Sequence, residues 1–407
     1  MKRILFFICT FFAVSSGYAQ QFDALFRDST LRIDYIFAGN AKAQSIYVDK
    51  LNMMAGWYGK HRRLAEVPVE GNGQIIVRRH HSEEIIYKNS FSTLFQEWLS
   101  YPEAENEQKS FENVFLIPIP KDTVDVTIEL RNSRRKVMAS LTHTVNPQDI
   151  LIRHIGKSPV DYEIIQQPKD TSNCIHIAYV AEGYQASEMD VFLKDARTAM
   201  EALFLHEPFK KLKDRFQVIA VKSPSKDSGT SIPDKGIWKE TALGSHFDTF
   251  YSDRYLTTLN LKLLHDWLAG TPYEHIIVLV NTDNYGGGGI LNSYNLSMTH
   301  HPSFKPVVVH EFGHSFAGLA DEYAYEQEQI PMYPTDIEPW EPNITTLKDF
   351  DSKWKGMKGA GLHEGAGYSQ KGVYRAYPDC RMRTNEHPEF CPVCQQAIER
   401  LIRFYTE

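Results

Sequence analysis

The segment HEFGHSFAGLADEY, residues 310–323, constrains the fold of this chain more than any other. His310 and His314 are four residues apart, a spacing that puts both side chains on one face of an α-helix, where they can reach one Zn²⁺ at about 2.0–2.1 Å. The apolar residues 307–309 precede them, as in a buried helix that enters an active site. Glu311 is suited to take a proton from a metal-activated water and deliver it to a leaving amine. The pattern His-Glu-x-x-His fixes only three positions and therefore also occurs by chance. The competing interpretation is a surface helix that carries two histidines.

A third protein ligand must follow the helix. Gly318 can adopt the left-handed conformation that ends a helix, so that the chain turns back and Asp321 faces the same metal. A carboxylate is an acceptable zinc ligand and leaves one coordination position open. A thermolysin-like arrangement, with Glu322 or Glu326 as the third ligand, is the alternative within the enzymes.

Residues 1–19 form a separate segment. A positive start at positions 2 and 3, an apolar run over 4–14 and small residues at 17–19 are typical of a secretory signal peptide. The alternative is a membrane anchor, but the apolar run is shorter than the roughly 20 residues that a spanning helix needs. We therefore predict cleavage and export to the periplasm, the cell surface or the medium, with no transmembrane segment.

The charge of the mature chain bears on its partners. Loss of two basic residues from the 44 Lys and Arg leaves 42 against 51 Asp and Glu, a formal charge of −9. A mildly acidic surface argues against nucleic acid or anionic membrane as the main partner.

Four cysteines remain in the mature chain. In an exported protein, disulfides are the default expectation. Cys380, Cys391 and Cys394 could instead bind a structural metal, but three thiols are one ligand short of a closed tetrahedral site. The sequence favours disulfides or free thiols here.

Residues 20–150 have the pattern of a β-sandwich. Apolar residues alternate along 31–37 and 124–130, the period-two pattern of half-buried strands, and there is no convincing long helix. We predict an N-terminal accessory or binding domain here. Further strand candidates are 45–48, 74–78, 84–87, 114–119 and 136–144.

Residues 151–407 alternate between predicted strands and helices, which indicates an α/β domain that carries the histidine motif. Residues 275–280 are apolar throughout, as in a fully buried central strand. The other predicted elements are strands at 175–180 and 216–221 and helices at 187–212 and 259–268.

Four glycines, 286–289, lie between the last strand and the motif. They do not form a phosphate loop, because no Lys-Ser/Thr pair follows. A strand at a sheet edge, in which glycines admit another backbone, is one interpretation, and a flexible loop is the other. As an edge, Gly288, Gly289 and Ile290 would align an extended peptide substrate.

The segment HEFGHSFAGLADEY resembles the signature of a secreted zinc metallopeptidase family named for an IgA peptidase, metallopeptidase family sixty-four. That family belongs with the metzincins. The residues after the motif, 380–383 and 390–394, are similar to that family too. The resemblance implies that residues 151–407 form a zincin-type metallopeptidase domain with a Met-turn at Met382, and that an N-terminal β-domain precedes it. The matching motif positions are His310, His314, Gly318-Leu319 and Asp321-Glu322-Tyr323.

Two departures from the better-known metzincin pattern bear on the site. The helix-ending glycine comes eight rather than seven residues after His310, and the third-ligand candidate eleven rather than ten. Since both shifts equal one residue, they favour Asp321 over Glu322. The residue two positions after Met382 is Thr384 rather than tyrosine, so an oxyanion-stabilising tyrosine must come from elsewhere, with Tyr323 as a candidate.

The sequence thus predicts an exported zinc endopeptidase that acts on a protein or peptide. The alternative is a catalytically inert zincin-like binding protein at the surface or in the periplasm. The natural substrate and the oligomeric state do not follow from the sequence, and immunoglobulin cleavage would be inferred by analogy alone.

Overall fold

The computed structural model describes residues 22–158, 160–325 and 332–407. The predicted signal peptide, 1–19, and Glu326 lie outside these residues. Within the described ranges, no helix is long and apolar enough to cross a membrane. The strands are β1 (Phe26–Gly39), β2 (Gln44–Ala55), β3 (Gly73–Arg79), β4 (Ile85–Phe91), β5 (Lys109–Pro120), β6 (Val124–Arg131), β7 (Val137–Val145), β8 (Arg153–His154), β9 (Tyr162–Gln166), β10 (Ile175–Glu182), β11 (Phe216–Val221), β12 (His275–Val280), β13 (Gly287–Ile290), β14 (Tyr294–Met298), β15 (Ile344–Thr345), β16 (His363–Ala366) and β17 (Ser369–Arg375).

The helices belong mostly to the second half of the described chain. Short 3₁₀ turns also occur, among them Ala186–Glu188 directly before the longest helix. The α-helices are α1 (Phe22–Leu25), α2 (Leu94–Trp98), α3 (Met189–Leu205), α4 (Phe209–Leu212), α5 (Leu261–Trp267), α6 (Phe304–Ala317) and α7 (Pro392–Thr406).

The N-terminal strands form two four-stranded sheets, ordered β5-β1-β2-β8 and β4-β3-β6-β7. Their apolar faces share one hydrophobic cluster, in which the Phe37 and Phe91 rings lie 6.4 Å apart. The alternation predicted for β6 is confirmed, because Val124, Val126 and Ile128 are all buried.

Strand β1 differs from a half-exposed strand, because it also buries two charged residues. Arg32 Nε lies 2.7 Å from Asp34 Oδ1, and Arg32 Nη1 lies 2.5 Å from Asp266 Oδ1 of α5. Buried charges need such partners. This ion pair links the N-terminal sheets to a helix of the second half.

The second half is built on a six-stranded sheet, ordered β13-β14-β12-β10-β11-β9. The four inner strands are parallel, and β13 and β9 are antiparallel at the two edges. Strand β12 lies inside the sheet and is buried along its whole length, as its apolar run predicted.

Alternate residues of the central strands face two different cores. Val180 and Val278 join the cluster of the N-terminal sheets, whereas Tyr179 and Leu279 join a second cluster with α3, α6 and α7. The protein is thus a two-domain α/β structure in which one hydrophobic cluster continues from the N-terminal sheets onto the six-stranded sheet.

The helix predicted from Ser187 to about Leu212 is wrong in its length. Helix α3 ends at Leu205, and α4 begins only at Phe209. Pro208 lies in between, and a proline inside a helix removes a hydrogen bond and clashes with the preceding turn.

Candidate active site

Helix α6 carries the two histidines and ends where the sequence predicted. Gly318 follows its last residue with φ +60° and ψ 33°, the left-handed conformation. The Gly318 N–H donates to the His314 carbonyl over 3.0 Å. A Cβ on Gly318 would lie 2.6 Å from the Trp340 ring, so both the backbone angle and the space require glycine.

The reversal of the chain at Gly318 brings Asp321 back to the two histidines. Asp321 Oδ1 lies 3.0 Å from His310 Nε2 and 3.4 Å from His314 Nε2. The two Nε2 atoms are 3.0 Å apart. Two imidazole nitrogens and one carboxylate oxygen thus converge on one point at the floor of a cleft.

The hydrogen bonds of the two Nδ1 atoms show what the three converging side chains can bind. His310 Nδ1 donates to the Arg381 carbonyl over 3.0 Å, and His314 Nδ1 donates to the Leu319 carbonyl over 2.6 Å. When the imidazoles are neutral and Nδ1 carries the proton, each Nε2 presents a lone pair toward the other and toward Asp321 Oδ1, which is buried without a hydrogen-bond partner among the described residues. A zinc ion fits these three ligands, because histidines that bind metal donate their second N–H in this way.

The electrostatics favour positive charge at the same point. Burial lowers the pKa of the His314 imidazole, but the Asp321 carboxylate outweighs burial and raises that pKa to about 9. Burial alone would raise the pKa of Asp321, but His314 and His310 outweigh burial and lower that pKa to well below its ordinary value. Without a metal, the positive charge at this point is a second proton on His314, and a metal ion that binds there must displace that proton.

Asp321 is held in place by a hairpin that the sequence gave no reason to consider. The Tyr368 hydroxyl donates to Asp321 Oδ2, and the Gly367 N–H donates to the Asp321 carbonyl over 2.9 Å. Tyr368 has φ +67°, a conformation that is uncommon for a bulky residue and costs free energy unless the surrounding structure fixes it. The β16–β17 turn thus fixes both the carboxylate and the backbone of Asp321.

Glu311 lies on α6 beside the histidines and faces the glycine strand. Among the described residues its carboxylate accepts no side-chain hydrogen bond, so both oxygens are available to a water or a substrate. Burial raises the pKa of Glu311 above its ordinary value, although His310 and His314 lower it. A carboxylate that binds a proton more tightly is better matched to proton transfer near neutral pH.

The glycine segment forms the edge strand β13 rather than a flexible loop. A Cβ on Gly289 would lie 2.5 Å from the Glu311 carbonyl oxygen, and one on Gly288 would lie 2.6 Å from the Tyr255 ring. The glycines therefore let β13 fit between α6 and the 254–256 segment. Within the fold, the backbone that comes close to these glycines is that of α6, the helix with the two histidines.

Part of this edge is already paired. The Gly287 N–H donates to the Arg254 carbonyl, and the Gly287 carbonyl accepts from the Leu256 N–H. In an antiparallel strand, residues two apart direct their main-chain groups to the same side. The Gly289 N–H and C=O thus point to the same outer side of β13 as those of Gly287, where they have no main-chain partner among the described residues, whereas Ile290 opposes Tyr294 of the neighbouring strand.

Met382 lies beneath the histidine helix. Its side chain is fully buried, and a Cβ on Gly313 would come within 2.7 Å of its sulfur. The Met382 carbonyl accepts from the Glu322 N–H over 2.8 Å. The segment around Met382 therefore contacts both the helix and the chain that carries Asp321.

Glu322 does not approach the histidines. It is fully buried and lies among Cys380, Cys391 and Cys394. The structure thus brings together His310, His314 and Asp321, and it turns Glu322 in another direction.

The cleft above the cluster has a volume of about 1010 Å³ and is lined from both halves of the chain. The N-terminal half was predicted as an accessory domain, yet it contributes Gln96, Glu97 and Tyr101 to the wall. Their position in the cleft wall depends on how the N-terminal sheets pack, and no local sequence motif predicts it.

Aromatic residues form another part of the cleft wall. The Tyr325 and Tyr368 rings are stacked with centroids 5.5 Å apart, and the Arg254 guanidinium lies 5.9 Å from the Tyr323 ring and 5.4 Å from the Tyr325 ring. Tyr323 and Thr384 both line the cleft. This wall offers flat apolar surface and one fixed positive charge beside the cluster.

Comparisons with known families cover most of the chain. The model described as IgA Peptidase M64 matches residues 164–360 and 356–402, which include the whole histidine cluster and the cysteines after it. The model described as Peptidase M64 N-terminus matches residues 21–142. No curated protein matches the chain.

Proposed function

The chain belongs to the IgA peptidase M64 family and is a peptidase, and we propose that it is a zinc-dependent endopeptidase. The observation that carries the proposal is the convergence of His310 Nε2, His314 Nε2 and Asp321 Oδ1, with both Nδ1 atoms donating to carbonyls. These three residues would hold the zinc. When bound, zinc acts as a Lewis acid that polarises the scissile carbonyl and lowers the pKa of water.

The residues of the chain supply the remaining steps. Glu311 takes the proton from the attacking water and then delivers it to the amine that leaves. Tyr368 holds Asp321 through its second carboxylate oxygen, so that the ligand keeps its orientation while charge develops. Met382 packs under Gly313 as a structural support, the role of a Met-turn residue.

The edge of β13 aligns the substrate. The Gly289 N–H and C=O can pair with an extended peptide, and Gly288 and Ile290 set the course of the strand beside the cleft. Recognition through main-chain groups requires no free chain terminus, which favours internal peptide bonds. The Arg254 charge and the tyrosine wall would then select among side chains.

We further propose that residues 1–19 direct export and are removed. The sequence pattern carries this proposal, and mass spectrometry of the mature N-terminus tests it. A chain that begins at Gln20 is the expected product.

The enzyme proposal is tested by digestion of an unbiased peptide library, with and without a chelator, alongside metal analysis. Glu311→Gln should keep zinc and lower kcat/KM by about 10²–10⁴-fold, because it removes the general base and keeps the shape. Glu107→Gln, an exposed glutamate on the surface, is the matched control and should leave hydrolysis unchanged.

Two results would overturn the proposal. Full hydrolysis by the Glu311→Gln variant would exclude Glu311 as the base. Hydrolysis that survives complete removal of metal would exclude zinc dependence.

A further inference from the structure

A second cluster of metal-ligand residues lies beside the first. Glu322, Cys380, Cys391 and Cys394 are all buried, and their ligand atoms lie within 4.8 Å of one another. The four cysteines of the described residues are free thiols, which is one of the two alternatives, disulfides or free thiols, that the sequence favoured.

The spacing of these atoms is that of ligands around one ion. Cys380 Sγ and Cys394 Sγ are 3.8 Å apart, and Cys394 Sγ is 3.2 Å from Glu322 Oε1. A zinc ion with bonds of about 2.3 Å to sulfur gives tetrahedral S–S edges of about 3.8 Å. A disulfide requires about 2.05 Å between the sulfurs.

The carboxylate distinguishes a metal site from a cluster of buried thiols. Glu322 Oε1 accepts from the Asn343 side-chain amide over 3.0 Å. Glu322 Oε2 is buried without a hydrogen-bond partner among the described residues. A buried carboxylate is strongly disfavoured unless a cation or several donors compensate it. A disulfide would use two of the sulfurs and leave the third thiol and this oxygen uncompensated, whereas a bound ion satisfies all four residues.

We propose that Glu322, Cys380, Cys391 and Cys394 bind a second zinc ion in a closed, structural site. Three thiolates and one carboxylate complete a tetrahedral set, and thiolates favour zinc over harder cations. The three thiols that were one ligand short in the sequence acquire the fourth from Glu322, which lies 72 residues before Cys394.

This site would fasten together the segments that build the peptidase site. Glu322 follows Asp321 directly, and Cys380 precedes Arg381, whose carbonyl accepts from His310. Cys391 and Cys394 lie at the start of α7. Zinc at the second site therefore holds the Asp321 segment, the Met382 segment and α7 in fixed relative positions, with no part in the reaction itself.

Cobalt substitution separates the two sites, because only the second contains sulfur. Metal-free protein refilled with Co²⁺ should show thiolate-to-cobalt charge-transfer absorption in the near ultraviolet. The absorption should persist in a His310→Ala, His314→Ala double variant and disappear in Cys391→Ser. Cys174→Ser, which removes the cysteine outside the cluster, should keep the absorption.

Metal counts give a second readout. We expect two zinc equivalents in the wild type, one in the double histidine variant and one in Cys391→Ser. If the peptidase proposal alone fails, the wild type binds one zinc and keeps the cobalt absorption. If the second site alone fails, zinc-dependent hydrolysis remains, the wild type binds one zinc, and the absorption is absent.

Thiol titration of the wild type addresses the disulfide without any variant. The processed chain, isolated without reductant and unfolded with a chelator, should release four titratable thiols, one from each of its four cysteines. Two titratable thiols would show a disulfide in the cluster and overturn the proposal, even if the cysteine variants do not fold.

Discussion

Asp321 and Glu322 are adjacent in the chain and have similar side chains, yet they belong to two different clusters. Asp321 meets two imidazoles at the floor of the cleft, and Glu322 meets three thiols in the interior. The histidine cluster combines nitrogen and oxygen and keeps some exposure, with 14% of each histidine side chain accessible. The cysteine cluster is wholly buried.

A catalytic zinc site needs three protein ligands and an open position, whereas a structural site needs four ligands and no access. The three residues of the histidine cluster face the cleft, and the four residues of the cysteine cluster face the core. With the roles that we propose for them, one short segment would serve chemistry and stability together. The comparison leads to three predictions: two variants, or pairs of variants, should affect one cluster more than the other, and the third tests the packing of β13 beside the histidine cluster.

The largest effect is expected from Asp321→Ala. It removes a direct ligand and leaves two imidazoles, so kcat/KM should fall by more than the roughly 100-fold that follows loss of an outer partner. The paired variant, Glu322→Gln, should lose one metal equivalent while the peptidase zinc remains, with kcat/KM within about tenfold of the wild type. Metal analysis and hydrolysis of one peptide measure both. Equal loss of both metals in both variants would show that the clusters are not independent.

Tyr368→Phe should have a smaller effect, confined to the histidine cluster. It removes the hydroxyl that donates to Asp321 Oδ2 and should weaken zinc affinity there by about 10–100-fold. Tyr374→Phe, on the same β16–β17 hairpin, is the control. Competition with a chelator measures the affinity, and the cobalt absorption of the second site should be unchanged. Equal affinity in the two variants would contradict this role for Tyr368.

Gly289→Ala should have the smallest effect of the three. Its Cβ would lie 2.5 Å from the Glu311 carbonyl, so β13 and α6 must separate. We expect a loss of about 1–3 kcal/mol in the free energy of unfolding, as for other overpacked contacts, together with reduced hydrolysis. At Gly156 a Cβ meets nothing within 4 Å, so Gly156→Ala should change the free energy of unfolding by no more than about 0.5 kcal/mol. Urea denaturation measures both, and equal stability would show that β13 can shift freely.

Features that depend on neighbours along the chain can be predicted from the sequence. The four-residue spacing of His310 and His314, the helix end at Gly318 and the buried strand β12 all follow from local periodicity and backbone preference. Asp321 could be placed near the histidines for the same reason, because a short turn leaves the chain few paths.

Features that depend on contacts between residues far apart in the chain appear only in the folded structure. Tyr368 reaches Asp321 across 47 residues, and Glu322 reaches Cys394 across 72. The N-terminal sheets line the cleft because their hydrophobic cluster continues onto the six-stranded sheet. Such contacts leave no periodic trace in the sequence, since packing selects partners by shape and burial rather than by spacing. The sequence could therefore propose His310, Glu311 and His314 as site residues, but only the fold brings the Glu322 carboxylate to the three cysteines.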